Sequence, residues 1–277
     1  MFGPDAALTA QEAEIILPCK RVTVLTNALD MKDLFGTTRS VIQPRYALQA
    51  GDAALATRLP SWERATCQVM ISPGLGARFS QIIMTLERDG QCLGNTANNQ
   101  YFIYFLEGTG SVEVDERRHR LEPGNYAYLP PAKDMQFRSG GPGTRILVFQ
   151  KPYVALPGFP KPTAFVRHER ESKSLPVGGF EEVRSQLLLP EKPEFDLSVN
   201  LVSWHPGIGL PVAQSQFREQ GWFLLSGQGL IRLASDWHPI QAGDTVWIGS
   251  HCPNWFVALG KAPAVFLVYQ ENHREPM

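Results

Sequence analysis

An internal repeat limits the possible folds of this chain more than any other feature of its sequence. Four glycines of the first half recur in the second half at one constant offset of 119 residues: Gly90, Gly108, Gly110 and Gly124 recur as Gly209, Gly227, Gly229 and Gly243. The text around them matches too, because FIYFLEGTGSVEVDERRHRLEPGNYAYLP aligns with WFLLSGQGLIRLASDWHPIQAGDTVWIG. Self-similarity at a fixed period indicates a structural unit that is used more than once. The sequence therefore predicts two copies of one domain.

The segments between these glycines predict short β-strands. From residue 45 onward the chain shows short apolar or alternating runs, such as CQVMIS, FSQIIMTL, YFIYFLEG and RILVFQ, separated by Gly, Pro and Asp. The 24 Gly and 22 Pro fit a chain with many turns. Short, evenly spaced strands favour an all-β sandwich or barrel over alternating strands and helices.

Four ranges follow from the repeat. Residues 1–44 form an N-terminal arm, 45–151 the first barrel, 152–163 a linker and 164–277 the second barrel. The linker segment PYVALPGFPKP holds four prolines, which interrupt strand pairing. In the arm, Thr9 and Glu12 have the spacing of a capping box, which predicts a helix over residues 9–16, and RVTVLT predicts a strand.

Charge and composition exclude several partners. The net charge is −1, with 43% hydrophobic and 19% charged residues, so no field is available to attract nucleic acid or an anionic membrane. The sequence shows no transmembrane segment and no secretory signal, which predicts a cytoplasmic protein. Its four cysteines form no C-x-x-C pair and are expected as free thiols.

A frame of amide side chains marks a candidate site in the second copy. Gln214, Gln216 and Gln220 are spaced at i, i+2 and i+6, so in an extended strand all three point to one face, and Asn254 lies in a later strand. Glu219 has the other parity and is expected at the rim or in solvent. The frame, followed by Gly-x-Gly and one late polar residue, resembles the metal-binding layout of cupins, which are double-sheet jelly rolls with the site inside the barrel.

The repeat allows the two barrels to be compared at this frame. The matching positions of the first barrel are Asn95, Ala97, Tyr101 and Met135. Small or apolar residues at three of the four cannot hold a hard cation. We therefore predict that the first barrel is structural and that the second barrel carries the site.

Several longer motifs resemble the (S)-ureidoglycine aminohydrolase family of two-barrel cupins. These are Tyr46-Ala47-Leu48, LLSGQG (224–229), Asp236-Trp237-x-Pro239, Gln241-Ala242-Gly243-Asp244, Trp255-Phe256-x-Ala258-Leu259-Gly260-Lys261 and Arg274-x-Pro276. The resemblance implies a tandem cupin fold, a homo-oligomer, and a C–N hydrolase of purine and allantoin degradation that converts ureidoglycine and water to ureidoglycolate and ammonia.

The resemblance also implies a site, and this chain departs from it. The family binds manganese(II) through Glu, His, His and Gln, which fall on Gln214, Gln216, Gln220 and Asn254. A Tyr and a Lys of the family's substrate pocket fall on Phe266 and Gln270. We take these six residues as candidate ligand-binding residues; no catalytic residue is assigned.

The chemistry of amide side chains limits both metal binding and acid–base catalysis at such a site. Neutral amide oxygens offset the lost hydration of a divalent cation poorly, and amides do not titrate near neutral pH. No metal cofactor is therefore expected, unless the family's manganese(II) binding persists. Three hypotheses stay open: an aminohydrolase of the resembled family, a metal-free cupin that binds or senses a small polar metabolite such as a ureide or a glyoxylate-related compound, and a metal-free enzyme with another substrate.

Overall fold

The protein is described from a computed structural model that covers residues 38–190 and 192–272. The helix predicted over residues 9–16 and the strand RVTVLT lie outside the described residues. Within them the regular elements are twenty strands and two single-turn 3-10 helices at Pro73–Leu75 and Glu169–Glu171. The predicted all-β fold with two tandem cupin barrels is confirmed.

The strands of the first half run from the end of the arm to the linker. They are β1 (Val41–Gln43), β2 (Tyr46–Gln49), β3 (Trp62–Ile71), β4 (Ser80–Asn95), β5 (Asn99–Glu107), β6 (Gly110–Val114), β7 (Arg117–Leu121), β8 (Asn125–Leu129), β9 (Asp134–Ser139) and β10 (Thr144–Pro152).

The second half repeats much of this order. Its strands are β11 (Phe165–His168), β12 (Ser174–Val177), β13 (Phe180–Leu187), β14 (Leu197–Trp204), β15 (Gln220–Ser226), β16 (Gln228–Leu233), β17 (Asp236–Gln241), β18 (Thr245–Ile248), β19 (Asn254–Leu259) and β20 (Ala264–Glu271).

The strands pair into an eight-stranded, a nine-stranded and a three-stranded sheet. The eight-stranded sheet has the order β1-β2-β18-β15-β20-β14-β13-β12, and the three-stranded sheet β17-β16-β19 closes the second barrel opposite it. The nine-stranded sheet runs β11-β8-β5-β10-β4-β9-β6-β7, with β3 paired to β4. Every named pair is antiparallel, which allows the strands to be joined by the short turns that the sequence predicts.

The two halves exchange their first strands. β2 pairs with β18 of the second barrel, where Tyr46 lies opposite Ile248. β11 pairs with β8 of the first barrel, where Phe165 lies opposite Tyr128. The tyrosine hydroxyl of Tyr46 also donates to Asp236 Oδ2 at 2.5 Å, which fixes the exchanged strand to the second barrel. The ranges 45–151 and 164–277 therefore remain predictions of where each repeat unit begins and ends.

Glycine is required at the repeated positions for two structural reasons. Gly108 and Gly227 have φ of +81° and +85°, a region that side chains with a Cβ rarely adopt. A Cβ at Gly110 would lie 3.0 Å from the Phe105 ring, and one at Gly229 would lie 2.3 Å from the Phe256 ring. One pair of glycines therefore makes a turn and the other gives room to a core aromatic side chain in each barrel.

Three hydrophobic cores hold the fold together. One fills the first barrel, one fills the second, and the third lies between the barrels. In this interbarrel core the rings of Phe79 and Tyr269 stack at a centroid distance of 4.0 Å. Side chains that point away from the interior of one barrel are thus buried against the other barrel.

Two further expectations from the sequence concern membrane-spanning segments and the state of the cysteines. In the part of the chain that the structure describes, no helix has the length and hydrophobicity needed to cross a membrane. Cys67, Cys92 and Cys252 are free and buried.

Candidate functional site

The residues of the amide frame gather at one end of the second barrel. Gln220 opens β15 and lies opposite Gln270 of β20. Asn254 opens β19, and its backbone forms an isolated bridge with Gln214. Because these positions all lie where their strands begin or end, the frame surrounds one mouth of the barrel.

Three of the glutamines form one hydrogen-bonded cluster. Gln216 Oε1 accepts from Gln220 Nε2 at 2.8 Å and from Gln270 Nε2 at 2.7 Å. Gln220 Oε1 in turn accepts from the indole nitrogen of Trp222 at 2.9 Å. We call Gln216, Gln220 and Gln270 the amide cluster.

The indole of Trp222 sets the polarity of the amide cluster. An indole N–H can only donate, so the oxygen of Gln220 faces it and the NH₂ group of Gln220 faces Gln216. The oxygen of Gln216 must then accept, and it accepts from Gln270 as well. The NH₂ group of Gln216 and the oxygen of Gln270 are left over, and both side chains are only half-buried.

Gln214 and Asn254 belong to the mouth but lie outside the amide cluster. Two backbone hydrogen bonds of 2.8 Å join them. The side chain of Gln214 is exposed, whereas that of Asn254 is buried and donates to the carbonyl of Cys252 at 3.3 Å. Among the described residues, neither side chain therefore forms a hydrogen bond with the amide cluster.

Phe266 lies deeper in the barrel than the amide cluster. It is 1% exposed and packs in edge-on contacts against Trp222 and Phe256, at centroid distances of 5.3 and 4.9 Å. Four residues along the same strand separate it from Gln270, roughly 13 Å at the usual rise of a strand. Phe266 thus forms the apolar floor below the glutamines.

Glu219, the neighbour of Gln220, was predicted at the rim or in solvent, and this prediction is wrong. Glu219 is 4% exposed and points into the interbarrel region. Its carboxylate accepts from the backbone of Arg78 at 2.9 Å and from Trp247 Nε1 at 3.2 Å. Burial raises the pKa of Glu219, and the nearby Glu271 adds to this effect.

A buried ion-pair group continues from Glu271 into the first barrel. Lys151 is 4% exposed, and its Nζ lies 3.0 Å from Asp196 Oδ2 and 3.3 Å from Glu271 Oε1. Asp196 also accepts from Gln100 and from the backbone of Val154. This group lies on the opposite face of β20 from the amide cluster, so it supports the site without lining it.

The donor set does not fit a divalent metal ion. Gln216 Oε1 already accepts two hydrogen bonds and Gln220 Oε1 accepts one, so coordination would break the amide cluster. Amide oxygens carry no charge to replace lost hydration. Among the described residues there is also no group of three His, Cys, Asp or Glu side chains that is placed to hold a metal ion.

The matching positions of the first barrel form no comparable cluster. Asn95 donates to Asp134 Oδ1 at 2.5 Å on the surface, and Met135 is 7% exposed among apolar neighbours. Tyr101 packs at the edge of the same core.

The amino-acid sequence is similar to proteins named for one activity. It is 29% identical over 248 residues to a probable (S)-ureidoglycine aminohydrolase of Oryza sativa subsp. japonica, covering 89% of this chain and 79% of the relative. It is 27% identical over 248 residues to the (S)-ureidoglycine aminohydrolase of Arabidopsis thaliana, covering 89% and 82%. No protein-family model matches the chain.

The fold is also similar to solved structures. Protein Ylba from E. coli superposes with a TM-score of 0.78 over 89% of this chain and 99% of the other, at 21% identity. At this identity the superposition supports the two-barrel architecture alone.

Proposed function

We propose that the second barrel binds a small metabolite with a ureido or amide group, and that it does so without a metal ion. The similarity of the chain to (S)-ureidoglycine aminohydrolases, at 24–29% identity, supports the class of ligand. The observation that carries this proposal is the polarity of the amide cluster. The proposal takes the barrel and the ligand class from the family, and the mode of binding from the side chains of this chain.

The free groups of the amide cluster match a ureido group. Gln216 offers N–H donors and Gln270 offers a carbonyl acceptor, with no further partner for either group among the described residues. A ureido group carries a carbonyl oxygen beside N–H groups, so it supplies the acceptor and the donor that the cluster needs. Neutral hydrogen bonds of this kind stabilise a complex modestly, by about 0.5–1.5 kcal/mol each.

The surroundings favour a planar and neutral ligand. The buried rings of Phe266 and Trp222 form an apolar layer behind the amide cluster, and Gln220 is held in place by the indole of Trp222. A pocket with apolar walls and a few fixed polar groups is the usual form of a small-molecule site.

Hydrolysis by the family's activity is a second candidate, and sequence similarity over 89% of the chain favours it. It needs a group that activates water, and the glutamines of the amide cluster cannot act as general acid or base. The first candidate therefore accounts better for the side chains at the mouth.

One experiment separates the two candidates. The purified full chain, loaded with manganese(II) and then desalted, is analysed for bound metal, and ammonia release is measured on freshly generated ureidoglycine. Calorimetry with allantoate and ureidoglycolate is run beside it on the native chain, on Gln216→Leu and on the matched control Gln214→Leu, whose side chain is exposed outside the cluster.

We expect no retained manganese, no ammonia, and ureide binding that Gln216→Leu abolishes and Gln214→Leu leaves unchanged. Retained metal with ammonia release would establish the second candidate. Absence of binding at millimolar ureide would overturn the first.

A further inference from the structure

Three arginines surround one serine on the outer face of the first barrel. Ser111 of β6 lies opposite Arg120 of β7 on one side and opposite Arg138 of β9 on the other. Arg118 precedes Arg120 by two residues, so it shares the same face of the sheet. Its Nε donates to Ser111 Oγ at 3.1 Å. We call these three side chains the arginine face.

The arginine face borders a depression with an unusual lining. Its volume is about 480 Å³, and it is lined by Thr109, Gly110, Ser111, Arg118, Arg120, Arg138, Ser139 and Gly140. Every lining residue is therefore a guanidinium, a hydroxyl or a glycine, and neither a carboxylate nor a large apolar side chain faces the depression. Arginines, hydroxyls and backbone N–H groups are the donors that hold phosphate oxygens in proteins.

The charge of the arginine face is only partly compensated within the described residues, where the amide oxygen of Gln136 accepts from the guanidinium of Arg138. None of its three guanidinium groups forms an ion pair there. Glu113 lies directly opposite Arg118 and lines, with Arg118 and Arg138, a smaller depression of about 250 Å³. One carboxylate therefore faces three cations, and a net positive charge is left over. The guanidinium groups that are left without a carboxylate repel each other across the face. A bound anion would remove this repulsion.

The second barrel shows that the fold itself does not require these cations. At the offset of 119 residues, Arg118, Arg120 and Arg138 correspond to Trp237, Pro239 and Val257. The pairing is the same, because Leu230, the counterpart of Ser111, lies opposite Pro239 and Val257. The same sheet positions therefore carry an apolar surface in one barrel and a cationic one in the other.

We propose that the arginine face is a binding site for a small phosphoanion with at least two phosphoryl groups. Neighbouring strands lie about 4.8 Å apart and residues two apart on a strand about 6.6 Å, so the three guanidinium groups extend over more than one phosphoryl group. The planar fork of arginine binds phosphoryl oxygens through two N–H groups at once. Inorganic pyrophosphate and the diphosphate of a nucleotide share this chemistry.

The test uses the full chain and pyrophosphate as the probe. Calorimetric titrations are made at an ionic strength of about 0.02 M and about 0.15 M, on the native chain and on Arg118→Gln, Arg120→Gln and Arg138→Gln. Arg58→Gln is the control, because Arg58 is an exposed arginine of the same half that does not line the depression. Because the three arginines are exposed, we expect all three variants to fold, and thermal unfolding checks this.

We expect one pyrophosphate per chain, weaker binding at the higher ionic strength, and a loss of affinity of about tenfold or more in each of the three variants. ADP in place of pyrophosphate then separates a nucleotide from a free diphosphate. No saturable binding, equal loss in Arg58→Gln, or equal affinity for citrate would overturn the proposal. Gln216→Leu is expected to bind pyrophosphate normally, so this result does not depend on the proposed ureide site.

Discussion

Gln220 lies directly opposite Gln270 across the β15–β20 ladder, and both side chains donate to the same oxygen of Gln216. This arrangement uses the inward positions of two neighbouring strands to hold a third residue that precedes them in the chain. It makes Gln216 the acceptor on which the amide cluster depends. The stability of the amide cluster and its preference for a ligand can therefore both be tested by substituting Gln216.

Replacement of Gln216 by leucine removes the shared acceptor. Gln220 and Gln270 then lose a hydrogen-bond partner each, and Gln220 is 6% exposed, so its amide stays largely without water. We expect the free energy of unfolding to fall by about 1–2 kcal/mol, measured by urea denaturation. Gln214→Leu, at an exposed position, is expected to change it by less than about 0.5 kcal/mol. An equal loss in both variants would contradict the role of the shared oxygen.

Strand alternation predicted only part of the amide frame, because β15 begins at Gln220 whereas Gln214 and Gln216 precede the strand. Gln216 and Gln220 were singled out by their spacing and Gln270 by the family resemblance, and the structure places these three side chains in one cluster. Alternation alone does not say what lies beyond the other face. For that reason Glu219 was assigned to solvent, although the first barrel packs against it.

A signal for the buried face was present in the sequence. Phe223, Leu267 and Tyr269 have the same outward parity as Glu219, and large apolar residues there indicate a surface that is covered. The sequence contains no such signal for the exchange of β2 and β11 between the barrels. The apolar pattern of a strand does not indicate which sheet the strand pairs with.

Charged and imidazole ligands at the mouth are expected to create a metal site. By the resemblance found in the sequence, Glu, His and His would fall on Gln214, Gln216 and Gln220, and such side chains bind manganese much more strongly than amides do. Gln214→Glu combined with Gln216→His and Gln220→His should raise manganese affinity by at least about 100-fold, measured by metal analysis after dialysis. If the native chain retained as much metal as the triple variant, the amides would be adequate ligands.

Lys151 offers a test of the buried ion-pair group. Its Nζ faces Asp196 and Glu271 at 3.0 and 3.3 Å, and loss of the cation leaves two carboxylates close together in the interbarrel region. We expect Lys151→Met to lower the free energy of unfolding by about 3–5 kcal/mol, measured by urea denaturation.

The matched control for Lys151 is Lys192→Met. Lys192 is 64% exposed and lies 3.9 Å from Glu194. A solvent-exposed pair of this kind contributes about 0–1 kcal/mol, so a small change is expected. A small effect of Lys151→Met as well would mean that water reaches the interbarrel group.

Two buried tyrosines differ in one hydrogen bond. The hydroxyl of Tyr269 has no partner among the described residues, whereas that of Tyr128 donates to Gln100 Oε1 at 2.9 Å. Tyr269→Phe removes an unsatisfied polar group and is expected to leave stability unchanged or to raise it by about 1 kcal/mol. Tyr128→Phe is expected to cost about 1 kcal/mol. Thermal unfolding of both variants checks the contrast, and a destabilised Tyr269→Phe would point to a water or ion at that hydroxyl.

The pH dependence of stability gives a test of Glu219. Burial raises the pKa of Glu219 above its ordinary value of 4.5, so the folded protein holds a proton there that the unfolded chain has already lost. The stabilisation by this proton is complete below pH 4.5 and is lost as the pH rises through the folded pKa. Each unit by which the pKa is raised corresponds to about 1.4 kcal/mol.

Glu219→Gln keeps an acceptor for Trp247 Nε1 and for the backbone of Arg78 but never ionises. The variant should therefore be more stable than the native protein at pH 7, and this advantage should shrink as the pH falls towards 4.5. Urea denaturation of both proteins at several pH values measures the difference. A variant that is less stable at pH 7 would show that the hydrogen bonds from Arg78 and Trp247 outweigh the burial of the charge, and the pKa of Glu219 would then lie below 4.5 in the folded protein.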